Sequence, residues 1–386
     1  MNDIPYAQSI ARTEFCHMKT VMLIFGTRPE AIKMCPLVNE LKAREGIKTA
    51  VCVTGQHREM LDRVLNAFGV IPDYDLSIMK DGQTLFDITA NVLNGLRDVL
   101  DEARPDVVLV HGDTSTTFSA ALACFYRQIP VGHVEAGLRT YHTMSPYPEE
   151  FNRRAVSIIS AYDFAPTERS KNNLLREGKR ESSIFVTGNT AIDALRTTVR
   201  ADHFHPELMW AEGSRLILIT AHRRENLGKP MHHMFRAIRR VMDEHPDVKA
   251  ICPVHPNPAV REAAEAELKG CDRIHVIEPL DVLDFHNLLA RSFLVLTDSG
   301  GIQEEAPALG KPVLVMRDTT ERPEGVEAGT VRLVGTNEGG IYKSFKELLE
   351  DSAAFHAMAK AKNPYGDGFA CRRIADVIDG KRHFHA

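Results

Sequence analysis

Short, continuously apolar runs alternate with segments of helical spacing along most of this chain. Seven of these runs lie at 21–25, 49–53, 107–110, 131–134, 216–219, 250–254 and 293–296. Apolar runs without polar alternation are typical of strands that are buried on both faces, and helices between them make the connections crossovers between parallel strands. The sequence therefore predicts an α/β fold with two Rossmann-like, doubly wound domains that face each other across a cleft.

The same pattern predicts the limits of the domains in this chain of 386 residues. Residues 1–17 are polar and aperiodic, and we expect a disordered extension there. We assign residues 18–190 to a first domain and residues 191–365 to a second. A Gly- and Pro-rich stretch precedes a final helix, and we expect this helix, within residues 366–386, to return to the first domain.

The last apolar run leads directly into the turn Thr297-Asp298-Ser299-Gly300-Gly301, which opens a segment of helical spacing. The first N–H groups of a helix are unpaired and attract anions, and glycine lets a phosphate approach the backbone. Ser299, Gly300 and Gly301 therefore predict a phosphate site. Glu305 follows about one and a half turns later, where its carboxylate would reach a ribose of the same ligand. A tight loop without a ligand is the alternative interpretation.

The first strand leads into Gly26-Thr27-Arg28-Pro29-Glu30, with a single glycine where a dinucleotide site would show G-x-G-x-x-G. The sequence therefore argues against bound NAD, and we predict no cofactor. Arg28 and Lys33 instead place two cations beside a helix start, which suits a diphosphate. Surface charge is the alternative for both residues. No cluster of His, Cys, Asp or Glu has the spacing of a metal site.

Acidic residues follow two strands of the first domain. Asp113 and Glu135 each come directly after a strand, and Glu149 lies in the long loop beyond them, while His222 follows the first strand of the second domain. A strand-end acid alone is as readily a helix cap. Carboxylates that crowd in one cleft separate in pKa, which yields an acid and a base. We therefore predict an acid–base site here.

Composition limits the partners of this protein. The net charge is −5 with 26% charged residues, and no basic run favours nucleic acid. No apolar segment approaches the roughly 20 residues that a membrane helix needs. We therefore expect a small-molecule partner, no nucleic acid, no membrane and a cytoplasmic location. The scattered cysteines indicate neither a disulfide framework nor a zinc site.

Taken together in this order, the motifs resemble those of the non-hydrolysing UDP-N-acetylglucosamine 2-epimerases, from Met18 to the last helix. The motifs of the first domain are 26–30, 55–60, 111–114, 133–139 and 148–153. Those of the second domain are 222–226, 297–307 and 317–324. Each motif is weak by itself, but the ordered set is highly specific.

This resemblance implies a GT-B arrangement of the two domains, a homodimer, and interconversion of UDP-N-acetylglucosamine and UDP-N-acetylmannosamine without a cofactor. The catalytic residues that it implies are Asp113, Glu135, Glu149 and His222. The substrate-binding residues that it implies are Arg28, Lys33, Phe285 against the uracil, Ser299, Gly300 and Gly301 at the diphosphate, Glu305 at the ribose, and Arg322.

The chemistry of such an epimerase would be elimination and re-addition. Departure of UDP from C1 of the sugar makes the C2 hydrogen acidic, and a carboxylate removes it to leave 2-acetamidoglucal. Re-addition of UDP with protonation on the other face gives the epimer.

Two positions depart from family members that a second substrate molecule activates. Glu59 stands with Gln56 where those members have Gln-x-x-Gln, and Gly82 replaces an arginine. Both changes count against such activation. The motifs also leave open a related UDP-sugar, such as a diacetamido uronic acid, or a hydrolysing variant. A UDP-sugar glycosyltransferase or a non-catalytic UDP-sugar sensor would use the same cleft.

Overall fold

The computed structural model describes residues 18–55, 58–80 and 82–381, and within them the first sheet has seven parallel strands. These strands are β1 (Lys19–Phe25), β2 (Ile47–Val53), β3 (Tyr74–Asp75), β4 (Val107–His111), β5 (Val131–Val134), β6 (Tyr162–Ala165) and β7 (Ile184–Val186). Their spatial order is β3-β2-β1-β4-β5-β6-β7. The strand order reverses between β1 and β4, so the ligand crevice of this sheet opens beyond the carboxyl ends of these strands.

A second parallel sheet repeats this winding. Its strands are β8 (Arg215–Thr220), β9 (Val248–Pro253), β10 (Ile274–Ile277), β11 (Leu294–Thr297), β12 (Val313–Val315) and β13 (Val331–Leu333). The spatial order is β10-β9-β8-β11-β12-β13. The reversal here lies between β8 and β11, and the turn that begins at Thr297 follows β11. The predicted fold class, two Rossmann-like domains of the GT-B type, is confirmed.

Helices connect the strands and cover both sheets. In the first part of the chain they are α1 (Arg28–Lys42), α2 (Arg58–Phe68), α3 (Leu85–Ala103), α4 (Ser115–Tyr126), α5 (Glu149–Ile159), α6 (Glu168–Arg176) and α7 (Thr190–Thr198). They continue with α8 (Pro206–Trp210), α9 (Lys229–Glu244), α10 (Pro258–Leu268), α11 (Val282–Arg291), α12 (Ile302–Ala308), α13 (Pro323–Glu327), α14 (Glu338–Glu350), α15 (Ser352–Ala359) and α16 (Ala370–Ile378). None of the described helices is long and apolar enough to cross a membrane.

The strand β1 shows why its run is apolar throughout. Val21, Leu23 and Phe25 belong to the core on one face of the first sheet, and Met22 and Ile24 belong to the core on the other face. Successive strand residues point to opposite faces, so a strand covered by helices on both sides needs apolar residues at every position.

All seven predicted runs overlap strands of the structure, whereas β3, β6, β7, β10, β12 and β13 were not predicted. These strands have only two to four residues, which is too short for a periodic signal.

The chain passes between the two sheets twice. The first passage follows β7 at Gly188, and the second lies near Gly366, where the two backbones are so close that a Cβ on Gly188 would be 3.2 Å from the Cα of Gly366. Beyond it, α16 packs Cys371 and Ile374 into the same core as β1. The predicted domain limits stay predictions, and residues 1–17 lie outside the described part of the chain.

Candidate functional site

Glu135 lies just beyond the carboxyl end of β5, where three side chains surround its carboxylate. It has a φ of +65°, a left-handed conformation that costs a non-glycine residue about 1–3 kcal/mol and is concentrated at functional sites. Its Oε2 forms an ion pair with Lys33, accepts a hydrogen bond from Asn189 Nδ2 at 2.8 Å, and lies 3.6 Å from His111 Nε2. Burial opposes the charge, but Lys33 and His111 outweigh it and hold the pKa of Glu135 well below its usual range.

Asp113 lies at the end of the neighbouring strand, β4. Its carboxylate accepts a hydrogen bond from Arg153 Nη2, and its backbone oxygen accepts one from Asn152 Nδ2 at 2.9 Å. Burial raises the pKa of Asp113; Arg153 opposes this rise, while the charges of Glu135 and Glu149 add to it. Asp113 and Glu135 therefore lie within electrostatic reach of each other but differ in the direction of their pKa shifts.

Glu149 completes this group of carboxylates. It is the first residue of α5, and its Oε2 is buried without a hydrogen-bond partner among the described residues. Its charge acts on Asp113. The predicted acids Asp113, Glu135 and Glu149 are thus brought together by the fold.

His222 follows β8 in the second domain and is positioned by Asp298. The fully buried Asp298 carboxylate accepts hydrogen bonds from the N–H groups of His222 and Arg223, each at 2.9 Å, and from Asn226 Nδ2 at 3.1 Å. Burial lowers the pKa of His222, Asp298 opposes this, and the charge of Arg28 across the cleft lowers it further. Within the described structure, His222 makes no ion pair with the three carboxylates of the first domain.

The turn 299–301 leads into the short helix α12. Gly301 caps the helix, accepting hydrogen bonds from Glu304 and Glu305 at 3.0 and 3.1 Å. Gly300 packs beneath the Arg322 guanidinium so closely that a Cβ would be 2.5 Å from Nη1. A side chain at this position would have to displace the Arg322 guanidinium, and the turn therefore lies against a buried cation.

Glu305 and Phe285 lie on two adjacent helices, α12 and α11. His286 Nε2 is 3.6 Å from Glu305 Oε2, and the rings of His286 and Phe285 are 6.2 Å apart. Burial opposes the charge of Glu305, but the interaction with His286 outweighs it and lowers the pKa of Glu305. The structure thus places a carboxylate with a lowered pKa and a half-buried aromatic ring on either side of His286.

Glu304 and Asn189 were missed by the sequence analysis. The Glu304 carboxylate forms an ion pair with Arg322 and accepts a hydrogen bond from Asn189 Nδ2. Burial raises the pKa of Glu304, while Arg322 and Lys33 oppose that rise. The only local signals are an acid beside Glu305 in the motif and an asparagine that caps α7.

The comparisons with known proteins agree with this geometry. The family model of UDP-N-acetylglucosamine 2-epimerase matches residues 39–379. A UDP-N-acetylglucosamine 2-epimerase of Bacillus subtilis is 60% identical over 358 residues, covering 93% of this chain and 94% of the relative. The chain belongs to the UDP-N-acetylglucosamine 2-epimerase family. The resemblance inferred from the motifs, and the enzyme class that it implies, are therefore confirmed.

Solved structures of the same family superpose closely on this fold. One is a provisionally named UDP-N-acetylglucosamine 2-epimerase from Listeria monocytogenes, with a TM-score of 0.89 and 55% sequence identity. The match covers 94% of this chain and 96% of the Listeria chain. The UDP-N-acetylglucosamine 2-epimerase of Neisseria meningitidis, solved with UDP-GlcNAc bound, has a TM-score of 0.86 and 49% identity over 94% of this chain and 100% of its own.

Some predictions are not tested by these comparisons. The roles of the individual site residues and the homodimer stay predictions, as does the lack of activation by a second substrate molecule. Gln56 and the side chain of Glu59 lie outside the described residues, and Gly82 has a φ of +70° in an open turn.

Proposed function

We propose that this member of the UDP-N-acetylglucosamine 2-epimerase family catalyses reversible epimerisation at C2 of UDP-N-acetylglucosamine to UDP-N-acetylmannosamine. One observation carries the proposal: Asp113 and Glu135 share one cleft, and their pKa values are shifted in opposite directions. Such a pair supplies a proton donor and a proton acceptor to one reacting carbon. The names of the relatives from Bacillus subtilis and Neisseria meningitidis support the substrate.

The proposed reaction proceeds by elimination. The C1–O bond breaks, UDP leaves with the bonding electrons, and a carboxylate takes the C2 proton to give 2-acetamidoglucal. UDP then adds back to C1 while a proton is delivered to the opposite face of C2. Asp113, Glu135 and Glu149 are the proton-transfer groups, without an assignment of which removes and which returns the proton. No electron acceptor is consumed, so this route needs no redox cofactor.

In this proposal the second domain binds the nucleotide part of the substrate. We assign the uracil to Phe285, the ribose to Glu305, and the diphosphate to Ser299, Gly300 and Gly301. The distance of 3.6 Å between Glu305 and His286, the neighbour of Phe285, supports a common site for base and ribose.

Cations from both domains would stabilise the departing diphosphate. Lys33 and Arg28 belong to α1, whereas Arg322 and His222 belong to the second domain. The charge of Arg28 acts on His222, and Lys33 and Arg322 both act on Glu304, which supports their convergence in the cleft. Electrostatic stabilisation of a leaving anion is commonly the largest single contribution to such catalysis.

We further propose a homodimer formed through α4 and α5. These helices expose Phe125, Tyr126, Phe151 and Ile158, with Ile158 80% accessible to solvent. An apolar surface of this kind suits a second copy of the chain. Light scattering of the Ile158→Glu variant should give half the mass of the wild type. The cytoplasmic location stays a prediction.

A proton NMR time course with purified protein and UDP-N-acetylglucosamine alone tests the activity. We expect the signals of UDP-N-acetylmannosamine to grow to a constant ratio. Free N-acetylmannosamine would indicate a hydrolysing enzyme, and turnover only after addition of an acceptor would indicate a glycosyltransferase. No change with bound UDP-sugar would indicate a sensor.

A further inference from the structure

The side-chain amide of Asn189 lies between one carboxylate of each domain. Its Nδ2 donates to Glu135 Oε2 at 2.8 Å and also donates to Glu304 Oε2. An amide nitrogen carries two hydrogens, so it serves both acceptors at once. Its Oδ1 accepts from the N–H of Ala191 at 3.0 Å, which caps α7 and holds the side chain in place.

Asn189 also lies where the chain passes between the domains. Its N–H donates to the backbone oxygen of Tyr365 at 2.7 Å, so it bonds directly to the returning segment. The residue is 2% exposed. Hinges between domains are formed by loop or element-terminal residues in such crossing segments. Asn189 therefore contacts Glu135 and Glu304 from the segment that joins the two domains.

We propose that Asn189 is a positioning residue that couples the approach of the two domains to the orientation of the Glu135 carboxylate. The inference rests on the proposed function of Glu135 in proton transfer. Lys33 and Asn189 both hold Oε2, whereas Oε1 lies towards the Gly112 turn, 3.8 Å from where a Cβ of Gly112 would be. Because Oε2 is held by Lys33 and Asn189, Oε1 is the oxygen of Glu135 that would exchange a proton with C2 of the sugar.

The charges around Asn189 explain why an amide is needed there. Glu135 and Glu304 repel each other, and each is paired with a cation, Lys33 and Arg322 respectively. A neutral donor between the carboxylates bonds to both and leaves the net charge of the two ion pairs unchanged. An aspartate of the same shape would add a third negative charge and remove both hydrogen bonds.

The variants Asn189→Ala and Asn189→Asp test the inference through the pH dependence of kcat. We expect Asn189→Ala to lose about 10²-fold in kcat, because a misplaced proton-transfer group costs about that much. Asn189→Asp should lose more near neutral pH and recover in part as the pH falls, since the introduced carboxyl group, once protonated, again donates a hydrogen bond. Its optimum should therefore move to lower pH.

Asn287→Ala is the matched control. Asn287 is also fully buried and bonds to the backbones of Thr198, Arg200 and Leu283, but to no carboxylate among the described residues. We expect it to lower the Tm and to keep the pH profile of the wild type. Wild-type kcat in both Asn189 variants would overturn the role of Asn189. A reduced kcat of Asn189→Asp with an unmoved pH optimum would also overturn it.

A second measurement does not depend on activity. If Asn189 bonds to ionised carboxylates, the Tm difference between wild type and Asn189→Ala should be largest near neutral pH and shrink on acidification, as protonated carboxyls no longer require the donor. A difference that is constant with pH would mean a purely structural role and overturn the inference. Absence of epimerisation by the wild type would instead overturn the proposed function, and the Tm measurement would still decide the role of Asn189.

Discussion

Lys33 of α1 and Glu135 at the end of β5 form a buried ion pair, with side chains only 12% and 8% exposed. Lys33 is also attracted by Glu304 of the second domain, and although burial lowers its pKa, Glu135 and Glu304 outweigh this and raise it. The pair therefore joins a proposed phosphate-binding cation to a proposed proton-transfer carboxylate. Changing either residue should alter the ionisation of the other.

Loss of the Lys33 charge should move the acidic limb of the pH–rate profile. Lys33 and His111 hold the pKa of Glu135 well below its usual range, so wild-type activity that needs Glu135 as a base should persist to lower pH. Lys33→Gln removes the main charge that lowers the pKa of Glu135, and the acidic limb should shift to higher pH. Rates measured against pH check this, and an unmoved limb would remove Glu135 as the titrating base.

The same ion pair should stabilise the fold within a defined pH window. Glu135 has a lowered pKa, so its contribution is present above its unfolded pKa of about 4.3 and is lost as the pH falls through the folded value. Lys33 has a raised pKa, so its contribution is present below about 10.4 and is lost at higher pH. The Tm deficit of Lys33→Gln should therefore be greatest between these limits. A deficit that is independent of pH would contradict this.

Glu305→Ala should weaken UDP binding about 10- to 100-fold, because a carboxylate that accepts hydrogen bonds from the ribose is lost. Isothermal titration calorimetry with UDP measures the change. Glu278→Ala is the control, as Glu278 is exposed and pairs with Arg261 outside the cleft. Equal affinity in Glu305→Ala and wild type would show that the turn before α12 is not the nucleotide site.

The variants Asp113→Asn, Glu135→Gln and Glu149→Gln should each lower kcat by about 10²- to 10⁴-fold while UDP still binds. The amide keeps the shape of the side chain and removes its proton-transfer capacity. Steady-state rates and UDP titrations of the same preparations separate the two effects. A near-normal rate would exclude that residue from the proton-transfer group.

His222→Asn should lower kcat as well, if His222 acts at the diphosphate. Asp243→Asn is a control for the second domain, since Asp243 is exposed and pairs only with Arg239 in the described structure. Rates of the two variants are compared under the same conditions. Equal rates would leave His222 without a catalytic role.

Epimerisation in D₂O should place solvent deuterium at C2 of the product. In elimination a carboxylate removes the C2 proton, and because the protonated carboxyl group exchanges with water, the proton returned to C2 comes from the solvent. A nicotinamide route would instead return to the sugar the hydride that it had removed. We also expect no stimulation by added NAD and a small amount of 2-acetamidoglucal with UDP on long incubation. Proton NMR of the product measures the exchange, and protium retained at C2 would refute elimination even if epimerisation occurred.

Much of the candidate site was predictable because strand ends have a local signal. Asp113, Glu135 and His222 each follow an apolar run, and parallel strands place their carboxyl ends at one edge of a sheet. Asp298 lies in the turn that was predicted to bind phosphate. Its hydrogen bonds, however, come from His222 and Arg223 in the loop after β8, which are 76 and 75 positions away in the sequence. No local pattern indicates such a contact.

The amino-acid sequence by itself determined the two doubly wound sheets, because continuous apolar runs, crossover helices and glycine turns are local properties. Only the tertiary structure decided which side chains contact one another within the cleft. Glu304 and Glu305 are neighbours in one motif, yet successive helical residues point about 100° apart, so Glu304 meets Arg322 and Asn189 while Glu305 meets His286. The packing of the domains decides which carboxylate is neutralised and which is left for a ligand, since electrostatic interactions depend on distance in space and not on separation along the chain.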